Sequence, residues 1–285
     1  MGKILRWTGY GVAGVIGLAA VAAAGVYLKS DMALHAATSP RPENIAASTT
    51  PIAEAQRQLV TLGCADCHGA NLTGQAFLDD PKVGVIWAPN LTDVAQRASD
   101  QQLARAVRQG IGVDGRPLYI MPAVQYRYLS DTEIADVIRA IRATPRSGAP
   151  SPPIRLGPLG RIGIVTGSFP SQPQAIAAQT SLVPPDLGPA TEPGRHLVMT
   201  HCSDCHGPRL TGSEPEPGVK SPDLMIAGAY DDAAFAQLLR TGRPADGRTL
   251  KLMGDVAKVT FSKFTDQEIA EIHAYLKARA QKDGG

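Results

Sequence analysis

The stretch CADCH at residues 64–68 recurs as CSDCH at residues 202–206, and the two copies use all four cysteines of the 285-residue chain. Cys-x-x-Cys-His is the signature at which haem is attached covalently to a protein. Two thiols three positions apart on one turn reach the two vinyl groups on one edge of the porphyrin, and the next histidine then lies under the iron. The predicted attachment residues of two haem c groups are Cys64, Cys67 and His68, and Cys202, Cys205 and His206.

Two other kinds of site also use Cys-x-x-Cys pairs. Four cysteines can bind a structural zinc ion, but these pairs are 138 residues apart, farther than in a compact zinc site. Zinc would also not need a histidine after each pair. A thioredoxin-like redox site usually needs one pair and no trailing histidine. The complete five-residue signature, present twice with no cysteine left over, favours haem over both alternatives.

The similarity between the two copies extends beyond the pentapeptides, because further stretches match at nearly the same spacing. The matching pairs are CADCHGANLTG (64–74) with CSDCHGPRLTG (202–212), APNL (88–91) with SPDL (221–224), DGRPLYIM (114–121) with DGRTLKLM (246–253), and SDTEIADVIRAI (130–141) with TDQEIAEIHAYL (265–276). The small drift in spacing is what loop insertions and deletions would produce. We therefore predict two copies of one unit, at residues 51–145 and 190–285.

Each unit ends in a predicted helix. Ser130 with Glu133, and Thr265 with Glu268, have the spacing of a capping box, and apolar residues follow at helical spacing. Few stretches alternate with the period of a strand, so the predicted fold class is all-α with little sheet. Because a unit of about 90 residues is small for an apolar core, we expect bound haem to supply much of the buried apolar surface.

The N-terminal region predicts a membrane anchor. Residues 7–28 carry no charge, and Lys3 and Arg6 precede them. About twenty apolar residues can span a bilayer, and the preceding positive charges place the N-terminus in the cytoplasm. We expect a retained transmembrane helix within residues 1–29, with a cleaved signal peptide as the alternative. Either way the units are exported, so the expected location is the inner membrane with the haem domains in the periplasm.

Two further segments are expected to connect these parts. Residues 30–50 are predicted to be a flexible tether. Residues 146–189 contain nine prolines and are predicted to be a partly extended linker rather than a third domain. The formal net charge of the chain is only +2, and nothing in the sequence indicates a nucleic-acid partner.

These features resemble the class I cytochrome c family, and more specifically the cytochrome subunits of bacterial membrane-bound dehydrogenases and related dihaem cytochromes. The resemblance rests on the two haem motifs, APNLT (88–92), DGRPLYIMP (114–122) and SDTEIADVIRAIRATP (130–145). It implies two tandem class I cytochrome c domains, joined by the proline-rich linker and preceded by the transmembrane helix.

The resemblance also implies a methionine as the sixth ligand of each iron, because class I cytochromes take this ligand from downstream of the histidine. Met121 is the only methionine between Met32 and Met199, so it is assigned to the first haem. In the second unit Met225 and Met253 compete, and Met253 is preferred because it aligns with Met121 in the repeat. An ordinary packing methionine is the alternative at each position. His/Met ligation raises the reduction potential and closes the iron to substrates.

Some neighbouring residues receive weaker assignments. By resemblance, the carbonyl of Pro89 or Pro222 accepts a hydrogen bond from the iron-binding histidine, although each proline also suits a plain turn. Arg116 and Arg248 are candidates to pair with haem propionates, or else are solvated turn residues. The remaining histidines are expected at the surface, two of them (His201 and His273) also being weak alternative ligands: His35, His196, His201 and His273.

Three functions follow from this resemblance. The preferred one is a membrane-tethered dihaem electron carrier between a dehydrogenase or quinol donor and a respiratory acceptor, not itself an enzyme, whose partners are redox proteins and the membrane. A dihaem enzyme, such as a peroxidase or sulfur-compound dehydrogenase, would need an open or displaceable sixth ligand, and methionines at matching positions argue against it. A cytochrome subunit of a terminal oxidase is the third.

Overall fold

The computed structural model describes residues 2–216, 218–248 and 250–283. It begins with a long helix, α1 (Gly2–Leu34). From Arg6 to Leu34 this helix has a mean hydropathy of 2.0 over its most apolar window, none of which is buried, so it is long and apolar enough to cross a membrane. The helix continues past the predicted end of the anchor at residue 29, where Ser30 is fully buried against the rest of the protein.

The first unit consists of helices around an apolar core, with a small sheet at one side. In chain order its elements are α2 (Ile52–Thr61), α3 (Cys64–His68), β1 (Gln75–Asp80), β2 (Gly84–Ala88), α4 (Leu91–Arg97), α5 (Asp100–Gln109), α6 (Ala123–Tyr126) and α7 (Asp131–Ala143). Helix α2 packs against α7, and Leu59, Ile134 and Ile138 lie in the core that we call the first core. Both hydrogen bonds of the predicted capping box are present at the start of α7.

The proline-rich segment between the units is folded onto the first unit and contains a strand and two helices, which the prediction of a partly extended linker at 146–189 did not specify. The segment contains β3 (Arg155–Leu156), α8 (Pro158–Thr166) and α9 (Gln172–Ala178). Strand β3 extends the antiparallel β1–β2 pair, and α9 packs against α5 and α6. A proline stands in the first turn of both helices, where its missing N–H costs nothing.

Residues 30–50, predicted to be a flexible tether, contact the first unit along much of their length. Residues 30–34 complete α1, and the rest runs along the first unit. Glu43 is buried and pairs with Arg108 at 3.0 Å, the backbone N–H of Ala46 donates to the carbonyl of Asp131 at 3.1 Å, and the Ser48 hydroxyl donates to Asp136. The segment is ordered because its polar groups find partners on α5 and α7.

The second unit repeats the arrangement of the first. Its elements are α10 (Glu192–His201), α11 (Ser203–His206), β4 (Ser213–Glu216), β5 (Val219–Ser221), α12 (Asp232–Thr241), α13 (Leu252–Val259) and α14 (Asp266–Asp283). Helix α10 packs against α14 as α2 packs against α7, and Val198, Phe235 and Ile272 lie in the second core. The described residues are mainly helical, as predicted, with two small antiparallel sheets that the all-α prediction did not specify.

Candidate functional site

Helix α3 carries the first Cys-x-x-Cys-His motif at the edge of the first core. The thiols of Cys64 and Cys67 are partly buried and form no disulfide, and Cys64 packs against the first core. His68 is buried, and its Nδ1 lies 2.8 Å from the carbonyl oxygen of Pro89. Nδ1 must therefore carry the proton and donate it, which leaves the lone pair of Nε2 available to a metal ion.

The second motif, in and just before α11, has the same geometry. Cys202 packs against the second core, Cys205 is partly buried, and Nδ1 of His206 lies 2.9 Å from the carbonyl oxygen of Pro222. The histidine–proline hydrogen bond expected from the resemblance is thus present in both units. Burial lowers the pKa of His68 and of His206, which favours the neutral imidazole that binds metals.

Each motif is followed by a leucine in an unusual backbone conformation. Leu72 and Leu210 have φ values of 57° and 61°, a region that costs a residue other than glycine about 1 kcal/mol or more. Their carbonyls accept hydrogen bonds from the N–H groups of Leu91 and Leu224, at 2.8 and 2.9 Å. These bonds tie the loop after each motif to the loop carrying the proline. The repeated Leu-Thr-Gly was visible in the sequence, but the conformation and its role were not predicted from it.

The residue after each proline fixes the proline loop from behind. Asn90 is buried and donates to the carbonyls of Ser147 and Ala149 at 2.8 and 3.1 Å. Asp223 instead pairs at 2.9 Å with Arg279 of α14, whose side chain is only 2% exposed. The two units therefore hold equivalent loops by different contacts. Neither contact was predicted from the sequence.

The preferred methionines lie against the same cores as the motifs. Met121, just before α6, packs partly buried against the first core together with Cys64. Met253, in the first turn of α13, packs partly buried against the second core together with Cys202. Met225 is partly buried but is not among the described residues that pack against the second core.

The donor groups fit covalent haem better than zinc. In the described ranges, no group of three or more His, Cys, Asp or Glu side chains is placed to hold a metal ion, which argues against a four-cysteine zinc site. Burial raises the pKa of Cys64 and of Cys202 to about 12, so these thiols are not reactive thiolates at neutral pH. Each motif instead offers two thiols and one oriented imidazole beside a partly buried thioether.

Of the other four histidines, only His35 lies at the surface as predicted. His273 is buried, with Nδ1 2.8 Å from Oδ1 of Asp232 and Nε2 3.2 Å from the carbonyl oxygen of Ala227. Both ring nitrogens are thus engaged, and His273 is not a ligand. His201 and His196 are partly buried, and His35 is exposed as predicted. The surface prediction failed for His273 because its side chain lies on the core face of α14.

The two candidate arginines lie in exposed turns. Arg116 pairs with Asp114, and Arg248 pairs with Asp246 at 3.0 Å. Each aspartate is two residues earlier in the same turn, and about half or more of each arginine side chain is exposed. These contacts agree with the alternative of solvated turn residues.

The two units meet through residues that occupy equivalent positions in the repeat. Asp66 of the first motif accepts a 2.7 Å hydrogen bond from the hydroxyl of Thr260. The backbone N–H of Asp204, in the second motif, donates to Oε1 of Gln125 at 3.3 Å. Gln125 and Thr260 each precede the capping residue of their unit's last helix by five positions. Burial and the charges of Asp66 and Asp204 raise the pKa of the Cys67 thiol.

A second pair of reciprocal contacts flanks the motifs. Glu133, at the start of α7, binds His196 of α10 at 2.8 Å. Glu268, the equivalent residue of α14, binds Arg57 of α2, also at 2.8 Å. Burial opposes the ionisation of Glu133, but the hydrogen bond and charge of His196 and the hydrogen bonds from Ser130 together outweigh it and lower the pKa of Glu133 to about 2. The two glutamates that cap the last helices therefore also join the units.

Several known proteins are similar to this chain. It is 26% identical over 273 residues to the fructose dehydrogenase cytochrome subunit of Gluconobacter japonicus, an alignment covering 85% of this chain and 54% of that protein. It is 26% identical to the cytochrome c subunit of the quinone alcohol dehydrogenase of Komagataeibacter europaeus, covering 75% of this chain and 53% of that protein. It is also 28% identical to a nicotinate dehydrogenase subunit of Pseudomonas putida, covering 83% of this chain and 20% of that protein.

The chain thus spans about half the length, or less, of these curated relatives. The sequence model of the Cytochrome c family matches residues 52–144 and 191–280. These two segments cover more than half of the chain, and each contains one complete motif with its histidine–proline hydrogen bond and its methionine. The chain belongs to the cytochrome c family.

Proposed function

We propose that this chain is a membrane-tethered dihaem c-type cytochrome that transfers electrons between a dehydrogenase or quinol donor and a respiratory acceptor. The observation that carries the proposal is the duplicated site, in which a Cys-x-x-Cys-His motif and a methionine lie against one core and a proline carbonyl orients the histidine. Two such sites, proposed to lie in units 51–145 and 190–285, hold two covalently bound haem c groups.

Each proposed site uses four residues of its own unit. The first haem is held by Cys64, Cys67, His68 and Met121, and the second by the equivalent set: Cys202, Cys205, His206 and Met253. The haem supplies one-electron exchange at its iron. These residues would supply both axial donors to the iron, which suits electron transfer rather than substrate binding, and the small apolar core of each unit would bury the group.

The proline carbonyls contribute to this role by orienting the ligands. The hydrogen bond from Nδ1 to Pro89 or Pro222 fixes the tautomer and the ring orientation, and it makes Nε2 a stronger donor. The pair formed by Asp223 and Arg279, and the amide of Asn90, hold these carbonyls in place. A rigid ligand set changes little between redox states, which favours rapid electron exchange.

The unit interface supports electron passage between the two sites. Asp66 and Asp204, one in each motif, both contact the opposite unit, so the two motifs lie at a common interface. With haem bound at both motifs, this placement would suit electron exchange between the two units.

The proposed location is the inner membrane, with the N-terminus in the cytoplasm and both haem units in the periplasm. The exposed apolar helix α1 supports this location. The three similar proteins are described as subunits of dehydrogenases, which supports a dehydrogenase as the partner that delivers electrons.

Purification from membranes in mild detergent tests the proposal. We expect a dihaem protein with two low-spin haems that a co-purifying dehydrogenase reduces when its substrate is added. A high-spin haem that binds peroxide or sulfite would instead indicate an enzyme and would overturn the carrier function.

A further inference from the structure

Helix α8 exposes an apolar face that no described element covers. Leu159, Ile162 and Val165 are 54%, 44% and 37% exposed, and their spacing of three residues places them along one side of the helix. The opposite side is packed, since Gly160 is buried beside the carbonyl of Val83. A helix with one packed side and one exposed apolar side needs a further apolar partner.

The position of α8 beside α1 indicates what that partner is. The guanidinium of Arg161 lies 3.9 Å from the ring centroid of Tyr27, and its Nη1 donates to the hydroxyl of Ser30 at 2.8 Å. Helix α8 thus contacts the last turns of α1, next to the uncharged run 7–28. Its exposed face continues the apolar surface of a helix that is itself unburied.

The aromatic residues of α1 set the depth of this contact. Trp7 and Tyr27 stand at the two ends of the uncharged run, twenty residues apart. At a rise of 1.5 Å per residue they are about 30 Å apart, the thickness of the hydrocarbon core of a bilayer. Tryptophan and tyrosine concentrate at the two membrane–water interfaces. Tyr27 therefore marks the headgroup level on the haem side, and Arg161 places α8 at that level.

We propose that α8 is an interfacial helix, which lies in the plane of the phospholipid bilayer and inserts Leu159, Ile162 and Val165 among the upper acyl chains. This inference rests on the proposed transmembrane insertion of α1. The exposed charged residues of the neighbouring segments are mostly basic, with Lys29, Lys82 and Arg155 against Asp79. Burial of the apolar side chains drives the insertion, and the basic residues add attraction to anionic headgroups.

The interfacial helix gives the first unit a second membrane contact. The N–H of Gly157 donates to the carbonyl of Val83 at 3.0 Å, and the N–H of Leu159 donates to the carbonyl of Lys82 at 2.8 Å. These bonds join α8 to the loop between β1 and β2, and through β2 to the core that carries the first motif. A haem unit attached at two points is held at a fixed height and orientation above the bilayer, where a membrane-bound donor can reach it.

Depth measurements on the full-length holoprotein in phosphatidylcholine nanodiscs test this inference. A nitroxide would be attached to Ile162→Cys, with Val15→Cys as the label inside α1 and Ile226→Cys, 50% exposed in the wild type, as the matched apolar position in the second unit. Relaxation by oxygen, which partitions into lipid, would be compared with relaxation by a water-soluble nickel chelate. The haem spectrum of each variant checks that it is folded, and Val165→Cys replaces Ile162→Cys if the latter is not.

If α8 is interfacial, oxygen should relax the label at residue 162 more than nickel does, and this label should lie less deep in the bilayer than the label at residue 15. Nickel should dominate the relaxation of the label at residue 226. Adding Leu159→Asp should shift the label at 162 several-fold towards nickel accessibility. A lipid-embedded label at residue 15 with a water-exposed label at residue 162 would overturn the interfacial position of α8 but leave the membrane anchor intact. Water exposure at both positions would overturn the anchor as well. A label at 162 shielded from both reagents would indicate a protein contact and would also overturn it.

Discussion

Glu133 of the first unit accepts a hydrogen bond from Nε2 of His196 in the second unit, with its two oxygens at 2.8 and 2.9 Å. The same carboxylate accepts from the N–H of Ser130 at 2.7 Å and so completes the cap of α7. One side chain therefore both starts the last helix of its own unit and binds the neighbouring unit. The start of α7 and the docking of the second unit are coupled through this residue.

The Glu133–His196 pair predicts that the unit interface weakens at alkaline pH. The hydrogen bond raises the pKa of His196, so its contribution is complete below the unfolded value of about 6.5 and is lost as the pH rises through the higher folded value. The pKa of Glu133 is lowered from 4.5 to about 2, so its contribution is present above 4.5 and is lost as the pH falls towards 2. The interface should be most stable between these limits.

Small-angle scattering of the detergent-solubilised holoprotein can measure this dependence. Between about pH 6 and about pH 9 the wild-type protein should expand as the units separate more often. His196→Gln should weaken the interface by about 1 kcal/mol and remove the pH dependence over this range. Arg57→Gln is the matched control, because it removes the equivalent contact to Glu268 but leaves the titrating pair. An unchanged pH dependence in His196→Gln would show that another group is responsible.

Replacing each proposed methionine ligand should affect one haem only. Met121→His and Met253→His should each lower one of two positive reduction potentials, because an imidazole stabilises ferrous iron less than a thioether does. The near-infrared methionine–iron band of that haem should disappear as well. Spectroelectrochemistry of the two variants measures both changes.

Met225→Leu is the control for the second site, and it should leave both potentials nearly unchanged. If Met225→Leu instead changes the spectrum of the second haem while Met253→Leu does not, the alignment of the repeats has assigned the wrong methionine.

The loops behind the prolines predict unit-specific losses of stability. Arg279→Ala leaves the Asp223 carboxylate with the N–H of Met225 but without its ion-pair partner, and because the arginine is buried this should destabilise the second unit by about 3 kcal/mol. Asn90→Ala removes the buried amide that holds the first proline loop and should destabilise the first unit by about 2 kcal/mol. Denaturant unfolding, followed at the absorption band of each haem, separates the two effects.

A double variant, Arg279→Ala with Asp223→Ala, gives the control for this prediction. It should be less destabilised than Arg279→Ala alone, since no unpaired carboxylate remains. Equal destabilisation of both units by Arg279→Ala would contradict a local role for this pair.

The anchor makes a prediction about the mature protein. We expect α1 to be retained, so N-terminal sequencing of the membrane-bound protein should begin near residue 1, and alkaline carbonate should not extract it. A sequence that starts after about residue 24, where a signal peptidase would cut, would show that the apolar run is a signal peptide.

The features that were predictable from the sequence depend on local patterns. The duplicated motif and the capping boxes at Ser130 and Thr265 are set by residues within a few positions of each other, and both boxes are present. His273 carried a usable local signal as well, because it follows Ile269 by one helical turn on the core face. Its ring stacks on Phe235, with the ring centroids 4.2 Å apart.

The features that the sequence did not reveal depend on contacts between distant residues. Nothing near Glu43 shows that Arg108 will bind it, and nothing near Pro158 shows that α8 will pack against α1. The same is true of the interface, where Asp66 contacts Thr260 across 194 positions of the chain. Composition therefore suggested a tether and a linker, whereas tertiary contacts order both segments.

The last prediction concerns the number of haems. Because both motifs are complete, the protein should contain two haems per chain, and acid–ketone extraction should not remove them. The double replacement Cys64→Ser with Cys67→Ser should leave one covalent haem, and the equivalent replacement of Cys202 and Cys205 should leave the other. Pyridine haemochrome spectra and haem-stained denaturing gels measure the number of covalent haems in the wild-type protein and in each double variant. Since each unit is small and relies on haem for its core, the unit without covalent haem should become sensitive to protease while the other stays intact. A wild-type protein with a single haem, or with zinc in place of haem, would contradict the assignment of both motifs.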